Sequence, residues 1–488
     1  MLSSTSSSPP TSSSSTTTPL QPLPESLSPC SNVRRTCHSL MKHEPFINNH
    51  NNNNNHSSNR TCCSSKNTTR SVIIDSMSLK ELAKKITQSI IDKISTTKTT
   101  KTTETTTTTT TNTNNTEKNN VDKCISNLDF ANWDADGWHY TGCNYSRPYL
   151  SKEEESKQRF ERIALYVMIM DCINFCFWPV DDDDDANGEK ENLLEYEHLA
   201  IALKELAEAD DVLPINDRPP TITDTTYSDS TYVQAEDTYA FAPQNLIHLN
   251  VETFIKMIKL PSKNDNDDYH NKDNGTYSIP NPQERTRLII ELAQSLLISN
   301  NGSATSFISK ANQSADMLVY LILQHFPGFR DTTVYNGYFV AFYKRAQILV
   351  ADLWAALGSP NGSSLYKYCC FTDMDKITTF ADYRVPQLLR HLNILEYSPS
   401  LSKQIHDKME IVPFSSDEVY IRAATVVAVD ELVKEVKDIF NAIDSDLYKK
   451  YGEEVNAVKM DWYLWNIGEI LDRNNSMDRH HRVRTIFY

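Results

Sequence analysis

The stretch SDEVYIRAATVVAVDELVKEVKDIFNAI, residues 416–443, decides the fold class. It reads as one long helix, with Ser416 as its cap and Glu418 close behind. The same period recurs on either side of it. ERTRLIIELAQSLLIS (284–299) and ANQSADMLVYLILQHF (311–326) carry apolar residues at i, i+3, i+4 and i+7. YKRAQILVADLWAAL (343–357) does so too and stops at Gly358-Ser359-Pro360. SKQRFERIALYVMIMDCINFCFW (156–178) starts polar and becomes solidly apolar, as a helix entering a core does. VKMDWYLWNIGEIL (458–471) is short and aromatic. Strand-like alternation is scarce outside TYVQAEDTYAFAP (231–243). The expected fold is all-α, a mainly helical single domain.

Only 39% of the 488 residues are apolar, low for a globular chain of this size, and the deficit is local. Residues 1–120 are dominated by Ser, Thr and Asn runs. Such composition buries too little apolar area to offset its ordering entropy, so it reads as a long disordered N-terminal tail. Within it, MSLKELAKKITQSIIDKI (77–94) has helical spacing through Leu79, Leu82, Ile86, Ile90 and Ile91, and reads as a short amphipathic helix without function of its own. Residues 121–488 then form the helical domain. It is interrupted by three polar, acidic or Asn-rich surface loops, at 181–192, about 216–230 and 262–275.

Charge and motifs exclude several classes. Residues 1–120 hold 13 Lys/Arg against 7 Asp/Glu, leaving a net charge of −22 on 121–488. That argues against direct nucleic-acid binding, which draws its affinity from cations on phosphate. It leaves room for a small phosphorylated ligand. The ten cysteines lack metal spacing and read as buried free thiols; the pentad Asp181–Asp185 reads as a solvated loop, so no metal site is expected. Phosphate-loop, dinucleotide-binding, nucleophile-elbow and zinc-protease motifs are missing, and no cofactor is expected. No run of 18 apolar residues suggests a membrane span, and the N-terminus has no signal-peptide core. The expected location is the cytoplasm; a faint transit-peptide character in the first 70 residues keeps mitochondrial and nuclear pools as alternatives.

Chemistry concentrates in aspartates embedded among aromatics: NWDADGWHYTG (132–142), FADYRVPQ (380–387) and MDWYLWN (460–466). Aromatic faces stack on flat heterocycles, and a carboxylate accepts two N–H bonds from a guanine-like edge. Each residue also has a plainer reading. Asp382 can cap the helix that follows it, Trp462 and Trp465 can be core, and His139 can be a satisfied core histidine.

Taken together, FYKRAQILVADLW (342–354), FADYRVPQLL (380–389), MDWYLW (460–465) and HHRVRTIFY (480–488) resemble the queuosine salvage family, the queuosine 5′-phosphate N-glycosylases that release queuine. MDCINFCFW (170–178) and FPGFRD (326–331) also fit. The resemblance runs in order from about residue 130 to the C-terminus; the tail and the acidic inserts have no counterpart. It implies an all-helical domain similar to helix-hairpin-helix DNA glycosylases, acting on queuosine 5′-phosphate in queuine salvage for tRNA modification. It places the catalytic carboxylate at Asp382, a base-pocket wall at Phe380, and base contacts at Asp461 and Trp462. His139 is the match for a ligand-contacting histidine, although its spacing to the next helix is longer here. Asn466 stands where the family often has an acid.

The bond broken on that reading is a ribose–nitrogen bond, whose transition state carries positive charge at C1′ and the ring oxygen. A carboxylate near C1′ stabilises it. The leaving base has carbon where guanine has N7, so its departing charge must be met at the pyrimidine edge. There Asp461 is expected to read N1–H and the 2-amino group. Lys344 and Arg345, at a helix N-terminus, and Arg384 are candidates for the 5′-phosphate. Two competing classes are a base-excision glycosylase acting on nucleic acid and a non-catalytic nucleotide-binding helical module.

Overall fold

The computed structural model describes residues 23–43, 71–100, 137–148, 150–178, 196–212, 239–258, 279–358, 366–443, 452 and 454–488. The three acidic or Asn-rich inserts lie outside them, as does most of the strand-like 231–243 segment. The described chain is mainly helical, as expected. In order, its helices are α1 (Pro29–His43), α2 (Ser76–Thr100), α3 (Lys152–Cys172), α4 (Tyr196–Val212), α5 (Val251–Met257), α6 (Pro282–Asn300), α7 (Ala304–Ser309), α8 (Ala315–His325), α9 (Lys344–Leu357), α10 (Arg384–His391), α11 (Pro399–His406), α12 (Ser416–Ile443) and α13 (Ala457–Arg473), with a single turn at Pro243–Leu246. Four short strands complete it: β1 (Val72–Ile74) pairs antiparallel with β4 (Leu395–Tyr397), and β2 (Thr332–Tyr335) with β3 (Tyr338–Ala341).

The long α12 is central. Its run Val419–Val429 is buried throughout and is apolar but for Arg422 and Thr425, where the helix crosses the core. α1, α2, α10, α13 and β1 pack around it, while α3 and α9 form the neighbouring layer.

Two expectations are corrected. Residues 1–120 do not stand wholly apart from the core. Cys30, Val33 and Cys37 on α1 and Leu82, Ala83 and Ile86 on α2 are buried against α12 and β3. Low mean hydropathy across the segment hid two short amphipathic stretches that cannot hold a helix alone but can when they cover an apolar neighbour. α2 starts at Ser76, close to the expected 77, and β1 just before it joins β4 far along the chain.

The second correction concerns 156–178. The helix begins at Lys152 behind a Ser151–Glu154 capping box and ends at Cys172. Arg285 captures the carbonyls of Ile173, Phe175 and Cys176, and Arg345 that of Cys172, so the chain is held in a turn. Cys176 sits there at φ 46°, a left-handed conformation unusual for a non-glycine residue. The β2–β3 hairpin was legible but not read: Asn336-Gly337 both have positive φ, the signature of a tight two-residue turn.

Candidate active site

FADYRVPQ is not helical at its start. Residues 377–382 run in irregular backbone before α10, and side chains from four separate helices hold them. Arg34 of α1 donates to the carbonyls of Lys376 and Ile377 (3.3 and 3.5 Å). Gln347 of α9 accepts from Thr378 N and donates to its hydroxyl, both at 2.9 Å. Asp461 of α13 accepts from the Thr379 hydroxyl and from Phe380 N (2.8 Å) through one oxygen, Oδ1. Arg422 of α12 donates through Nε to Ala381 O at 3.1 Å. A buried backbone segment without a ladder needs such partners.

Asp382 is thereby placed, 7% exposed, at the mouth of α10. It accepts from Val385 N at 3.2 Å, so the capping reading of the sequence describes a real bond. Capping does not exhaust it. Burial pushes its pKa up, and the charge of Lys344 is the main influence opposing that rise. Lys344, 3% exposed, is pulled down to about 8 by its own burial, with Asp382 as the chief opposing charge. Asp461, 2% exposed, is raised well above the carboxylate range by burial and then by the charge of Asp382. Two carboxylates and one lysine are therefore buried within electrostatic reach of one another. The lysine favours an ionised Asp382, and Asp382 in turn favours a protonated Asp461.

Aromatic rings flank this group. Tyr383 lies against His480 in a tilted arrangement (centroids 4.5 Å) and meets Trp178 edge-on at 5.7 Å. Phe380 is buried in the core. On α13, Trp465 lies one turn beyond Asp461 and meets Tyr196 and Trp138 edge-on. His139 is buried, with Nε2 2.9 Å from the Tyr196 hydroxyl, so it joins the group through Tyr196.

The structure thus brings together Asp382, Asp461, Phe380 and Lys344, and connects His139 to the α13 face that carries Asp461. Other residues go elsewhere. Trp462 stacks flat on Trp354 at 6.1 Å, half-buried, and Asn466 is half-buried one position past Trp465. Arg345 spends its guanidinium on the Cys172 and Gly328 carbonyls. Arg384 is paired with Glu469 (2.5 Å) and Asp472 (2.9 Å), pinning α10 to α13. Both arginines are thus engaged within the protein: Arg345 by buried carbonyls, Arg384 by the buried Glu469 and the partly exposed Asp472.

Sequence reasoning did not single out Gln347, Trp178, Tyr196, His480 or the Asp331–Arg422 pair. All but Tyr196 fall in the quoted segments, but nothing in a one-dimensional pattern shows that Gln347 and Thr378, 31 residues apart, bond.

A family model described as "Queuosine salvage protein" matches residues 153–239 and 254–488. The matched residues hold Lys344, Asp382 and Asp461 but not His139, α1 or α2. The chain is similar to the queuosine 5′-phosphate N-glycosylase/hydrolase of Dictyostelium discoideum, 35% identical over 356 residues, 72% of this chain and 85% of that one. Its counterpart of the same name from Sphaerobacter thermophilus is 33% identical over 336 residues, 67% of this chain and 82% of that one. The Bos taurus counterpart is 35% identical over 213 residues, 43% of this chain and 59% of that one.

Proposed function

The chain belongs to the queuosine salvage protein family, and from that premise we propose how its own residues carry out the reaction. The protein is an N-glycosyl hydrolase: it cleaves the N-glycosidic bond of queuosine 5′-phosphate and releases queuine for salvage. Water replaces the base at C1′, leaving ribose 5-phosphate, and the departing ring nitrogen ends with a proton.

Asp382 is the ionised carboxylate beneath C1′. Its charge meets the positive charge that grows at C1′ and the ring oxygen, at a buried position where solvent screens the interaction weakly. Lys344 keeps Asp382 ionised against its burial. Asp461 faces the base. Oδ1 is committed to Thr379 and Phe380, which leaves Oδ2 for the ligand. Burial and the charge of Asp382 favour the neutral form of Asp461, in which it donates a hydrogen bond to the pyrimidine edge and offsets the charge leaving with a base that has no N7 to protonate. This refines the expectation that it only accepts from N1–H and the 2-amino group. Phe380 and Tyr383, with Trp178 and His480, supply flat walls for the ligand. His139, Trp462 and Asn466 remain candidate base contacts through the rim of α13. Lys344, Arg345 and Arg384 are the candidates for the 5′-phosphate, and of the three Lys344 lies beside Asp382.

The observation that carries this reading is the burial of two carboxylates, Asp382 and Asp461, close to each other and to the buried Lys344. The test is Asp382→Asn. Asparagine caps nearly as well as aspartate, so melting should move little. Turnover should fall about 100-fold or more, as when one preorganised electrostatic group is lost. A folded variant that still releases queuine from queuosine 5′-phosphate at near wild-type rate would end the assignment.

A further inference from the structure

We propose that the buried pair Asp331–Arg422 is the device that sets Lys344 against Asp382, so that both are positioning residues for catalysis. The proposal rests on reading Lys344 and Asp382 as the working pair. Asp331, just past α8 and before β2, gathers the N-terminus of α9. Its carbonyl accepts from Phe342 N (3.0 Å) and Tyr343 N (3.2 Å), and its Oδ2 accepts from Lys344 N at 3.1 Å. Tyr343 is held at φ 50°, a left-handed conformation that a bulky side chain adopts only when its surroundings over-determine it. The three N–H bonds to one residue are that over-determination.

Arg422 carries the hold across to the catalytic strand. Nη1 donates to Asp331 Oδ1 at 2.9 Å and Nη2 to Oδ2, a bidentate fork, while Nε donates to Ala381 O. The carbonyl it holds belongs to the residue directly before Asp382. The guanidinium is 1% exposed and lies over the Phe342 ring at 4.0 Å and the Tyr488 ring at 5.0 Å, which leaves it little freedom to rotate. Glu418, one turn back on α12, accepts from Nη1 at 3.4 Å and steadies it further. One rigid unit therefore grips the backbone at 342–344 and at 381.

Stability alone does not account for this arrangement. A buried ion pair is often no better than an apolar pair of the same volume, whereas a planar fork that reaches a carbonyl at a fixed angle is specific. Lysine cannot reproduce both the fork and the Nε bond.

The test compares Arg422→Lys and Asp331→Asn with wild type, using queuosine 5′-phosphate turnover, KM, free-queuine affinity and melting. Both variants are expected to keep a cooperative melt, and kcat should fall about 10- to 100-fold, as for displacement of reacting groups by a fraction of an ångström to an ångström. KM and queuine affinity should stay within about threefold, because Asp461 holds the base side independently. The double variant should be no slower than the slower single one, since each breaks the same bridge. If Arg422→Lys loses its cooperative melt, Asp331→Asn, which keeps volume and one acceptor, carries the comparison. Active sites counted by bound queuine correct for any unfolded fraction. An unchanged kcat per intact site, with Asp382→Asn still inactive, overturns the positioning role and leaves the catalytic reading standing. An active Asp382→Asn would instead remove the reading beneath it.

Discussion

At the scale of single residues, the proposed reaction rests on one ionised and one neutral carboxyl beside a lysine. Lys344 is the group whose removal tells the two carboxyls apart. It is faced by Asp382, Asp331 and Asp461, which favour its charge, and by Arg422 and Arg345, which oppose it. As pH falls, turnover should be lost through the raised pKa of Asp382, above the usual carboxylate range, because the protonated acid cannot stabilise C1′. As pH rises through about 8, Lys344 loses its proton and the alkaline limb begins. Lys344→Met takes away the charge that opposes the burial of Asp382. We therefore predict that its acid limb moves to higher pH, that its limb near 8 disappears, and that it is slow throughout. A kcat–pH profile superimposable on wild type after scaling would sink this role.

At the scale of elements, the unexpected member is α1. Cys30, Val33 and Cys37 are fully buried, and the start of the helix is tied down where Asp316 accepts from the Ser28 hydroxyl (2.9 Å) and from Cys30 N (3.2 Å). The helix also reaches both arms of the site. Thr36 accepts from Ala341 N just before α9, and Arg34 holds the carbonyls of Lys376 and Ile377 while pairing with Asp430. A truncation starting at residue 44 should therefore strip an apolar face from α12 and lower Tm by several degrees or abolish soluble expression. Buried large-to-small changes in a single side chain already cost about 2–5 kcal/mol. The milder Arg34→Ala should keep the fold but slow turnover. A truncated protein that melts and turns over like the full chain would show α1 to be dispensable.

At the scale of the whole molecule, His480 and His481 make folding sensitive to acid. His481 is buried and His480 half-buried; His480 is held down at about 3, by desolvation first and then by the charge of Arg384 and Arg482 against that of Asp472. His481, whose Nε2 lies 2.7 Å from the Tyr488 hydroxyl, is also held well below its ordinary value by burial. A histidine whose pKa is depressed on folding takes up protons more readily when unfolded. Its contribution is complete above about pH 6.5 and is lost as pH falls toward about 3. The raised carboxylates Asp382 and Asp461 act with the opposite sign, since their contribution is lost as pH rises through their folded values. Comparing His480→Gln with wild type isolates the histidine: the variant should lose less Tm between pH 7.5 and 4.5. Parallel Tm–pH curves for the two proteins would refute it.

The sequence by itself determined the helical class, the position of the long α12 and the stretches that carry the chemistry. Apolar period and residue type are properties of local chain, and they survive in one dimension. FADYRVPQ and MDWYLWN were legible as chemistry because aspartates among aromatics are costly unless used or paired. What only the tertiary structure decided is which partners each cation takes and what holds the segment before Asp382. Lys344, Arg345 and Arg384 look alike in the sequence. In the fold, Arg345 is spent on carbonyls and Arg384 on Glu469 and Asp472, while Lys344 stands beside Asp382. The cover that α1 and α2 give to α12 was equally hidden, for their low-complexity surroundings depress every local average. The physical reason is common to both. A charge acquires its meaning from the partners that compensate its desolvation, and a marginal helix from the surface it covers, and the chain brings those partners from residues tens to hundreds of positions away.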